Sequence, residues 1–462
     1  MCIDILRPMK TLVQRAHRSV WLLAVLALTL APEFAQAQQA RRITFNEAIQ
    51  IALQQNYALK VSANAVEQQS INVSRQWWNF WPNLNFSAGF SQNRGRAFIQ
   101  DLGQIFTATT NGFNSSFSAN VNVFNGFADV ASLQQARYQR DARDLDFERQ
   151  RQSVVFNVMS QYLDLIARRE EVLIQEENLA AQQQLLTQIE EFVRVSIRPM
   201  SDLFQQQAST ANAEATLLNA QRFAQLSEVA LIQILQIDPL GTYEFAVPDL
   251  DDATLVAEQY NLNEMFQSAF DRRLDLQASE LDIDAAAQGI RIARSNYWPS
   301  ISFGASTSLR YSDSREADFS TQFFDERNTN LGFSLGLPIF DRFATRNTVQ
   351  QARLQLQNAQ LALENEQQNV ALQVRQAYLD YLTDEKRLDV TEKQVRAAEQ
   401  ALEAEQERYN VGASTLVELT QARASFVQAS SARAEARYTF LFRKRLIEYY
   451  IGVLDPTQTL FE

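Results

Sequence analysis

The sequence predicts a duplicated chain that combines very long α-helices with short β-strands suited to crossing a membrane. Three observations predict this fold class. Landmark residues recur after 216 or 217 positions, two stretches of nearly 70 residues lack glycine and proline, and four short segments alternate between apolar and polar side chains. Together they indicate an α plus transmembrane-β protein in which one architecture occurs twice.

The internal repeat is carried by matching residues in the same order. Trp81-Pro82 returns as Trp298-Pro299 after 217 residues, and Ala208-Ser209 returns as Ala424-Ser425 after 216, which indicates gene duplication. The predicted divisions are a signal peptide (1–37), a first copy (38–237), a connector (238–260), a second copy (261–455) and a tail (456–462). Each copy is predicted to contain an opening helix, a strand pair and a long helical hairpin, the last two at 83–124 and 128–237 and at 300–340 and 342–453.

Residues 1–37 have the three parts of a secretory signal. They are a basic head with Arg7, Lys10, Arg15 and Arg18, an apolar run from Val20 to Ala31, and the A-x-A cleavage motif Ala35-Gln36-Ala37. The run is shorter than the roughly 20 apolar residues of a membrane-spanning helix, which is the alternative interpretation. The chain is therefore predicted to be exported and its leader removed.

The composition argues against several kinds of chemistry. The only cysteine, Cys2, and the only histidine, His17, lie in the predicted leader. The mature chain would have no thiol nucleophile, imidazole base or common zinc ligand, so we expect no enzyme activity and no cofactor. Removing the four basic and two acidic leader residues from totals of 42 and 54 leaves 38 and 52, a net charge of about −14. This acidity argues against binding to nucleic acid.

The two stretches without glycine or proline are predicted to be single helices, from about Ala128 to Val195 and from Ala344 to Val411. Apolar residues recur in them every seven positions, at Val158, Leu165, Val172, Leu179, Leu186 and Val193, and at Val374, Tyr381, Leu388, Val395, Leu402 and Tyr409. Such a repeat predicts left-handed supercoiling. Nearly 70 residues at 1.5 Å each give a helix of roughly 100 Å. Helices alone would equally suit a coiled-coil spacer.

The alternating segments favour a membrane location. Apolar residues alternate with small polar ones at Leu84, Phe86, Ala88 and Phe90, and again at Leu331, Phe333, Leu335 and Leu337. One apolar face and one small, uncharged face are typical of transmembrane barrel strands, although strands of a soluble sandwich also alternate. Long polar hairpin loops are expected at 92–111 and 312–330. Because four strands cannot close a barrel, the chain is predicted to form an oligomer.

Tryptophans gather where a helix gives way to a strand. Those of the mature chain are Trp77, Trp78, Trp81 and Trp298. Indole rings are stable at the membrane–water interface, so we interpret these residues as interface anchors in contact with membrane lipid. Packing within the core of the helix–strand junction is the alternative.

In this combination the chain resembles the TolC family of outer-membrane efflux proteins over essentially the whole mature sequence. The motifs that carry the resemblance are Trp-Pro at 81–82 and 298–299, Val-Phe-Asn-Gly at 123–126, Ile-Phe-Asp-Arg at 339–342, Tyr-Asn-Val-Gly at 409–412 and Val-Glu-Leu at 417–419. The resemblance implies a homotrimer in the outer membrane. Its twelve strands, four from each protomer, would form one transmembrane β-barrel that continues into a periplasmic barrel of coiled-coil helices.

The resemblance also implies a function. The chain would be a channel-tunnel that exports solutes within a tripartite efflux or type I secretion assembly, together with a periplasmic adaptor (membrane fusion) protein and an inner-membrane transporter. Glu418 matches an acidic ring at the periplasmic entrance, and Gln421 stands where a second acid is often found. Tyr409 and Asp202 match a tether that keeps the entrance closed.

The turns at the tips of the two hairpins are expected to contact the adaptor. The residues expected to form this contact are Arg198, Pro199, Gly412 and Ser414. Gly412 can supply a left-handed helix cap, and Pro199 suits the first turn of the next helix. Ser414 stands where an arginine can add a further tether, whereas Arg198 occupies the equivalent turn of the first copy.

An alternative of a different class is an exported coiled-coil scaffold or surface protein without a pore. A channel should need detergent for extraction and run as a stable oligomer, whereas a scaffold should come off with salt or urea. An enzyme is disfavoured because no nucleophile–base pair is present, and a passive porin because half of the chain would be surplus helix. The cargo stays open, since drugs, metal ions, glycolipids and proteins all use this architecture within the family.

Overall fold

The structure is a computed structural model that describes residues 41–99, 103–247 and 256–455. The predicted signal peptide, the tail and residues 248–255 of the connector lie outside these ranges. The helices are α1 (Phe45–Gln55), α2 (Tyr57–Trp78), α3 (Ala128–Arg194), α4 (Met200–Leu235), α5 (Leu262–Arg272), α6 (Leu274–Ser295), α7 (Ala344–Asn410) and α8 (Leu416–Tyr450). The strands are β1 (Arg41–Ile43), β2 (Asn83–Ile99), β3 (Gln104–Asn125), β4 (Tyr243–Phe245), β5 (Ser300–Ser312) and β6 (Asn328–Gly336).

The two long helices are present as single elements. α3 and α7 contain 67 residues each, and corresponding residues lie 216 positions apart. Each begins after a residue in the left-handed conformation, Phe127 (φ 68°) or Phe343 (φ 63°). The side chains of Asn125 and Asp341 accept hydrogen bonds from backbone N–H groups of the first turns, at 3.4 and 2.7 Å. The two copies therefore start their long helices in the same way.

The opening helix of each copy is divided in two, which the sequence did not predict. Asn56 separates α1 from α2, and Arg273 separates α5 from α6. Asn56 ends one helix by donating its N–H to the carbonyl oxygen of Ala52 and caps the next through its side chain, which accepts from Ala58 N at 2.9 Å. A single non-helical residue suffices for the break because its side chain satisfies the free N–H groups of α2.

Four antiparallel strands form one sheet in the order β2-β3-β5-β6. The pairing of β3 with β5 joins the two copies. The apolar face stays open, with Phe86, Phe90 and Phe333 each at least 70% exposed. The polar face contains serine pairs such as Ser87 and Ser116, whose hydroxyl oxygens lie 2.8 Å apart. One face of the sheet carries large apolar side chains and the other carries small polar ones, which matches the predicted membrane strands.

The first hairpin loop is much shorter than predicted. β2 continues to Ile99 and β3 begins at Gln104, so most of 92–111 is paired strand. Arg94 lies opposite Thr109, and Arg96 lies opposite Thr107. The polarity of the segment suggested a loop, but β-branched threonines favour extended backbone whatever their polarity. In the second copy, β5 does end at Ser312, and the connection to β6 contains a π-helical turn at Thr321–Asp325.

Four clusters of buried side chains lie along the helices within the described residues, the smallest formed by Ala293, Val349 and Ala352. The first surrounds Tyr162, whose hydroxyl lies 2.6 Å from the carbonyl oxygen of Ala246. The second surrounds Tyr381, whose hydroxyl accepts from the N–H of Glu258 at 2.7 Å. Through these hydrogen bonds, Tyr162 of α3 and Tyr381 of α7 hold the two described ends of the connector. The third cluster lies where the two helical hairpins end.

Among the residues that the structure describes, no helix is both long enough and apolar enough to cross a bilayer.

Candidate functional site

The two hairpin tips share one backbone design. In the second copy, Gly412 N–H donates to the Tyr409 carbonyl at 3.1 Å, and Ala413 N–H donates to the Arg408 carbonyl at 2.7 Å. Gly412 has φ +77°, so the predicted left-handed cap is confirmed. In the first copy the same bonds run from Ser196 and Ile197, and Ser196 takes the left-handed position with φ 61°.

The residues after each turn differ between the copies. Pro199 precedes the first turn of α4 as its N-cap, one position earlier than the first-turn place predicted for it, and it makes no side-chain cap hydrogen bond. Thr415 holds the matching position before α8 and does cap the helix. The exposed Val195 and Val411 are equivalent residues of the two turns. Both turns thus present apolar side chains to their surroundings.

One apolar cluster joins the two hairpins at this end of the chain. Its buried members are Leu185 and Ile189 of α3, Tyr409 of α7, and Leu416 and Leu419 of α8. Leu203 of α4 packs against it from the side. Because the cluster draws on both hairpins, separating the tips would expose its apolar surface to water.

Arg198 connects the first hairpin to Tyr409 of the second. Its guanidinium carbon lies 4.5 Å from the centre of the Tyr409 ring, and its Nη2 donates to the Tyr409 carbonyl at 3.4 Å. Its Nη1 lies 4.0 Å from Oδ2 of Asp202. A cation over an aromatic face is attracted by the negative charge of the π system, by about 2 kcal/mol where water is excluded.

Tyr409 and Asp202, which the family resemblance matched to a tether, make no hydrogen bond to each other through the Tyr409 hydroxyl in the described structure. The Tyr409 side chain is 1% exposed, and its hydroxyl has no hydrogen-bond partner among the described residues. Burial raises the pKa of this phenol, the positive charge of Arg198 opposes the increase, and the negative charge of Asp202 adds to it. The predicted pair is therefore a group of three, in which Arg198 lies between the ring and the carboxylate.

Glu418 lies in the first turn of α8 and forms a capping box. Its Oε2 accepts from the N–H of Thr415 and from the hydroxyl of Ser414, both at 2.8 Å, while its own N–H donates to Thr415 Oγ1 at 3.3 Å. These donors hold the pKa of the exposed Glu418 carboxyl below its ordinary value, the Thr415 N–H contributing most. The carboxylate is thus fixed, ionised and solvent-accessible at the tip.

The cap has a sequence signal that the predictions for this turn did not include. Thr415 followed three positions later by Glu418, just before an apolar run, is the capping-box pattern. Ser414 also contacts the Glu405 carboxylate of α7. The serine therefore links the end of α7 to the start of α8, a place that was expected only to contact an adaptor.

The tryptophans predicted to lie at the membrane interface fall into two places. Trp77, Trp78 and Trp81 form one group, with ring centres 5.1 to 6.1 Å apart. Trp298 lies apart from them, beside Gly126 at the start of α3. The side chains are 44–59% exposed, so packing in the core of this chain does not account for them. Their exposure fits the interpretation as interface anchors.

Comparison with known proteins gives a consistent result. The family model "Outer membrane efflux protein" matches residues 48–235 and 265–445, one match for each copy. Outer membrane protein TolC of Escherichia coli is 24% identical over 366 residues, which are 76% of this chain and 72% of that protein. Outer membrane efflux protein BepC of Brucella suis is 21% identical over a region that covers 90% of this chain and 87% of BepC.

Solved structures with the same fold include an outer membrane channel and a further outer membrane protein. The CmeC channel of Campylobacter jejuni superposes with a TM-score of 0.78 at 18% identity, covering 90% of this chain and 87% of CmeC. VceC of Vibrio cholerae gives a TM-score of 0.76 at 17% identity, covering 88% of this chain and 96% of VceC. The duplicated fold, with its four-stranded sheet and long helices, is thus the fold of an outer-membrane channel with a periplasmic helical tunnel.

The chain belongs to the outer membrane efflux protein family, the family of TolC. It is an outer-membrane efflux channel of export systems, and channels of this family are not enzymes. Membership of the family implies a trimer. The predicted family, fold class, function and location are confirmed, and the alternative of a scaffold without a pore no longer applies.

Proposed function

We propose that this channel is the outer-membrane part of a tripartite exporter and that its hairpin tips form a closed, cation-attracting entrance. Three protomers place twelve strands in one barrel, and a periplasmic adaptor and an inner-membrane transporter engage the tips. Arg198, Tyr409 and Asp202 hold the entrance closed, and Glu418 sets the charge of its mouth. This proposal rests chiefly on the contact of Arg198 with Tyr409, which links one hairpin to the other.

The geometry explains how such a contact could act as a lock. The entrance widens only if the hairpins move apart, because α3 and α4 form one unit and α7 and α8 the other. That movement removes the guanidinium from the ring and opens the apolar cluster around Leu419. In a trimer the cost is incurred three times, so a modest contact in each protomer becomes a substantial barrier.

Exposed apolar side chains at the tips support docking of an adaptor. Those at the first tip are Val195, Ile197, Met200 and Phe204, and those at the second are Val411 and Val417, each more than half exposed. Apolar residues concentrated on a small exposed surface mark sites of protein interaction. The group lies on both sides of the turns that contain Arg198 and Gly412, where the adaptor contact was predicted from the sequence.

Single-channel conductance in planar bilayers tests the lock. Arg198→Gln and Tyr409→Ala should each increase the conductance, because each removes the contact between cation and ring. Tyr409→Phe should remain close to the parent, since the hydroxyl makes no hydrogen bond in the described structure. Arg194→Gln is the matched control, because it removes an equally charged residue four positions earlier whose partner, Glu191, lies on the same helix.

Two outcomes would contradict the proposed lock. One is a conductance of Arg198→Gln equal to that of the parent and of Arg194→Gln. The other is an increase with Tyr409→Phe as large as that with Tyr409→Ala, which would assign the link to the hydroxyl and restore a direct bond to Asp202.

A further inference from the structure

A cavity of about 620 Å³ lies where the sheet meets the long helices. It is lined by the start of α3, including Phe127 and Val130, and by the end of α6 with the following Trp298. Gly126 brings these parts close together, because a Cβ at this position would lie 2.4 Å from the carbonyl oxygen of Ser295. The cavity is thus formed within one chain, between the two copies.

The cavity lies at the edge of the apolar face of the sheet. A bulge in β3 places Phe124 opposite Ile301 of β5, and Ile301 pairs in turn with Leu335 of β6. Directly paired residues of neighbouring strands share a face, so Phe124 belongs to the apolar face. The ring of Phe127 packs edge-on against Phe124, with centres 5.2 Å apart. The wall of the cavity therefore continues the surface that faces lipid in an outer-membrane channel.

Two arginines give the cavity a positive charge. Arg291 and Arg294 of α6 line it, both are exposed, and neither makes an ion pair within the described ranges. Arg291 makes one long hydrogen bond of 3.4 Å to Gln288. No acidic side chain is among the described lining residues, although the chain as a whole has a net charge of −12. The cavity is therefore positively charged, whereas the chain as a whole is negatively charged.

The two arginines are present only in the second copy of the repeat. The first-copy residues equivalent to Arg291 and Arg294, 217 positions earlier, are Ser74 and Trp77, neither of which carries a charge. An apolar wall beside unpaired guanidinium groups matches an amphiphile with an anionic phosphate, because arginine binds phosphate oxygens in pairs and aromatic rings pack on acyl chains.

We propose that this cavity binds an anionic phospholipid of the periplasmic leaflet of the outer membrane. The phosphate lies on Arg291 and Arg294, and an acyl chain runs along Phe127, Val130 and Trp298 toward the apolar face of the sheet. One lipid is held by each protomer, in addition to the lipids that surround any membrane protein.

The lipids retained by the purified full-length oligomer test this assignment. The protein is placed in nanodiscs containing equal amounts of phosphatidylglycerol and phosphatidylcholine, and lipids that stay bound are measured by native mass spectrometry. The parent should retain phosphatidylglycerol in excess. Arg291→Gln with Arg294→Gln should return the ratio to that of the nanodisc. Arg137→Gln with Arg353→Gln is the matched control, since these arginines are also exposed, lie at equivalent positions of α3 and α7, and do not line the cavity.

Three results would overturn the proposal. They are full retention of phosphatidylglycerol by the Arg291/Arg294 variant, an equal loss in the control pair, and full retention by Val130→Asn. The last variant keeps both arginines but makes the wall polar, so unchanged retention would indicate a simple anion site without a place for an acyl chain. Native gel mobility equal to the parent shows that each variant is still assembled.

Discussion

Asp202 and Glu418 occupy equivalent positions of the two copies, 216 residues apart, yet their carboxylates have different partners. Asp202 faces the guanidinium of Arg198, whereas Glu418 accepts hydrogen bonds within its own helix start. The difference follows from the residue four positions earlier, which is Arg198 in one copy and Ser414 in the other. The two equivalent turns thus make different contacts, a guanidinium over the Tyr409 ring in one copy and a helix cap in the other.

Glu418 provides a prediction at the scale of one residue. Glu418→Gln should weaken the cation preference of the channel with only a small loss of helix stability, because glutamine keeps an oxygen that accepts the capping hydrogen bonds but has no charge. Glu418→Ala should lose both. Reversal potentials in a salt gradient measure the preference, and circular dichroism measures helix unfolding. A parental cation preference in Glu418→Gln would remove Glu418 from the acidic ring.

The pH dependence of the same residue follows from its lowered pKa. A carboxylate whose pKa is lowered by folding stabilises the folded state above its ordinary pKa, and the stabilisation is lost as the pH falls through the lowered value. Because the donors of Thr415 and Ser414 lower the pKa of Glu418, its contribution to cation preference should persist below the ordinary glutamate pKa of 4.5. Loss of that preference well above pH 4.5 would show that another group is responsible.

The tip could be located from the sequence, but its contacts could not. The repeat and the turn residues indicated the tip, and the resemblance to the TolC family indicated Tyr409, Asp202 and Glu418. No pattern in the sequence showed that Arg198 would lie over the Tyr409 ring, because that contact depends on how two separate hairpins pack against each other. The cap by Glu418 depends only on neighbours in sequence and could have been predicted.

At the scale of an element, the hairpin turns differ in conformational strain. Ser196 adopts the left-handed conformation that Gly412 adopts in the other copy. This conformation costs a residue with a Cβ roughly 1–2 kcal/mol, while a glycine has more freedom to lose on folding. Ser196→Gly should therefore stabilise the first hairpin by about 0.5–1 kcal/mol, and Gly412→Ser should destabilise the second by a similar amount.

The midpoint of thermal loss of helical circular dichroism measures both changes. The variants should shift it in opposite directions, and Ser201→Gly in the first turn of α4 is a control in which glycine should only destabilise. A Gly412→Ser variant with the parental midpoint would show that the turn tolerates a side chain without cost.

Long elements were predictable and interruptions were not. The absence of glycine and proline gave the limits of α3 and α7 to within one residue, because no helix-breaking residue lies between them. The breaks at Asn56 and Arg273 each involve one residue, and they lack the glycine or proline that normally marks a helix boundary.

The contacts of the connector could not be predicted from the repeat either. The repeat pairs Tyr162 with Tyr378, but Tyr381, one helical turn further on, holds the connector in the second copy.

At the scale of the whole molecule, the chain has two functional ends separated by helices of roughly 100 Å. The apolar sheet and the tryptophans lie at one end, and the hairpin tips at the other. The duplication and the alternating segments indicated this division. The length of β2 and β3 was missed because polar strands beyond the membrane have no apolar pattern by which they can be recognised.

Cysteine crosslinking in cells that contain the native export assembly tests whether the adaptor binds at the hairpin tips. With Cys2 in the predicted leader, the mature chain would contribute no cysteine background. Cysteines at Ile197 and Ala413 should form crosslinks to an adaptor through a bifunctional maleimide, and the products can be identified by mass spectrometry. A cysteine at Leu240, which is 90% exposed on the connector, is the control. Crosslinks from Leu240 alone would move the docking site to the connector.

The β3–β5 seam has a consequence for how such a channel is built. A barrel of identical hairpins would need six separate subunits to find one another, and every subunit would carry the same side chains. With two hairpins covalently joined, three chains suffice, so fewer molecules lose translational freedom during assembly. The ring then keeps a backbone with nearly six-fold repetition while its chemistry has only three-fold repetition. Each alternate hairpin is thereby free to carry its own side chains, such as Arg198 in one and Ser414 at the equivalent position of the next.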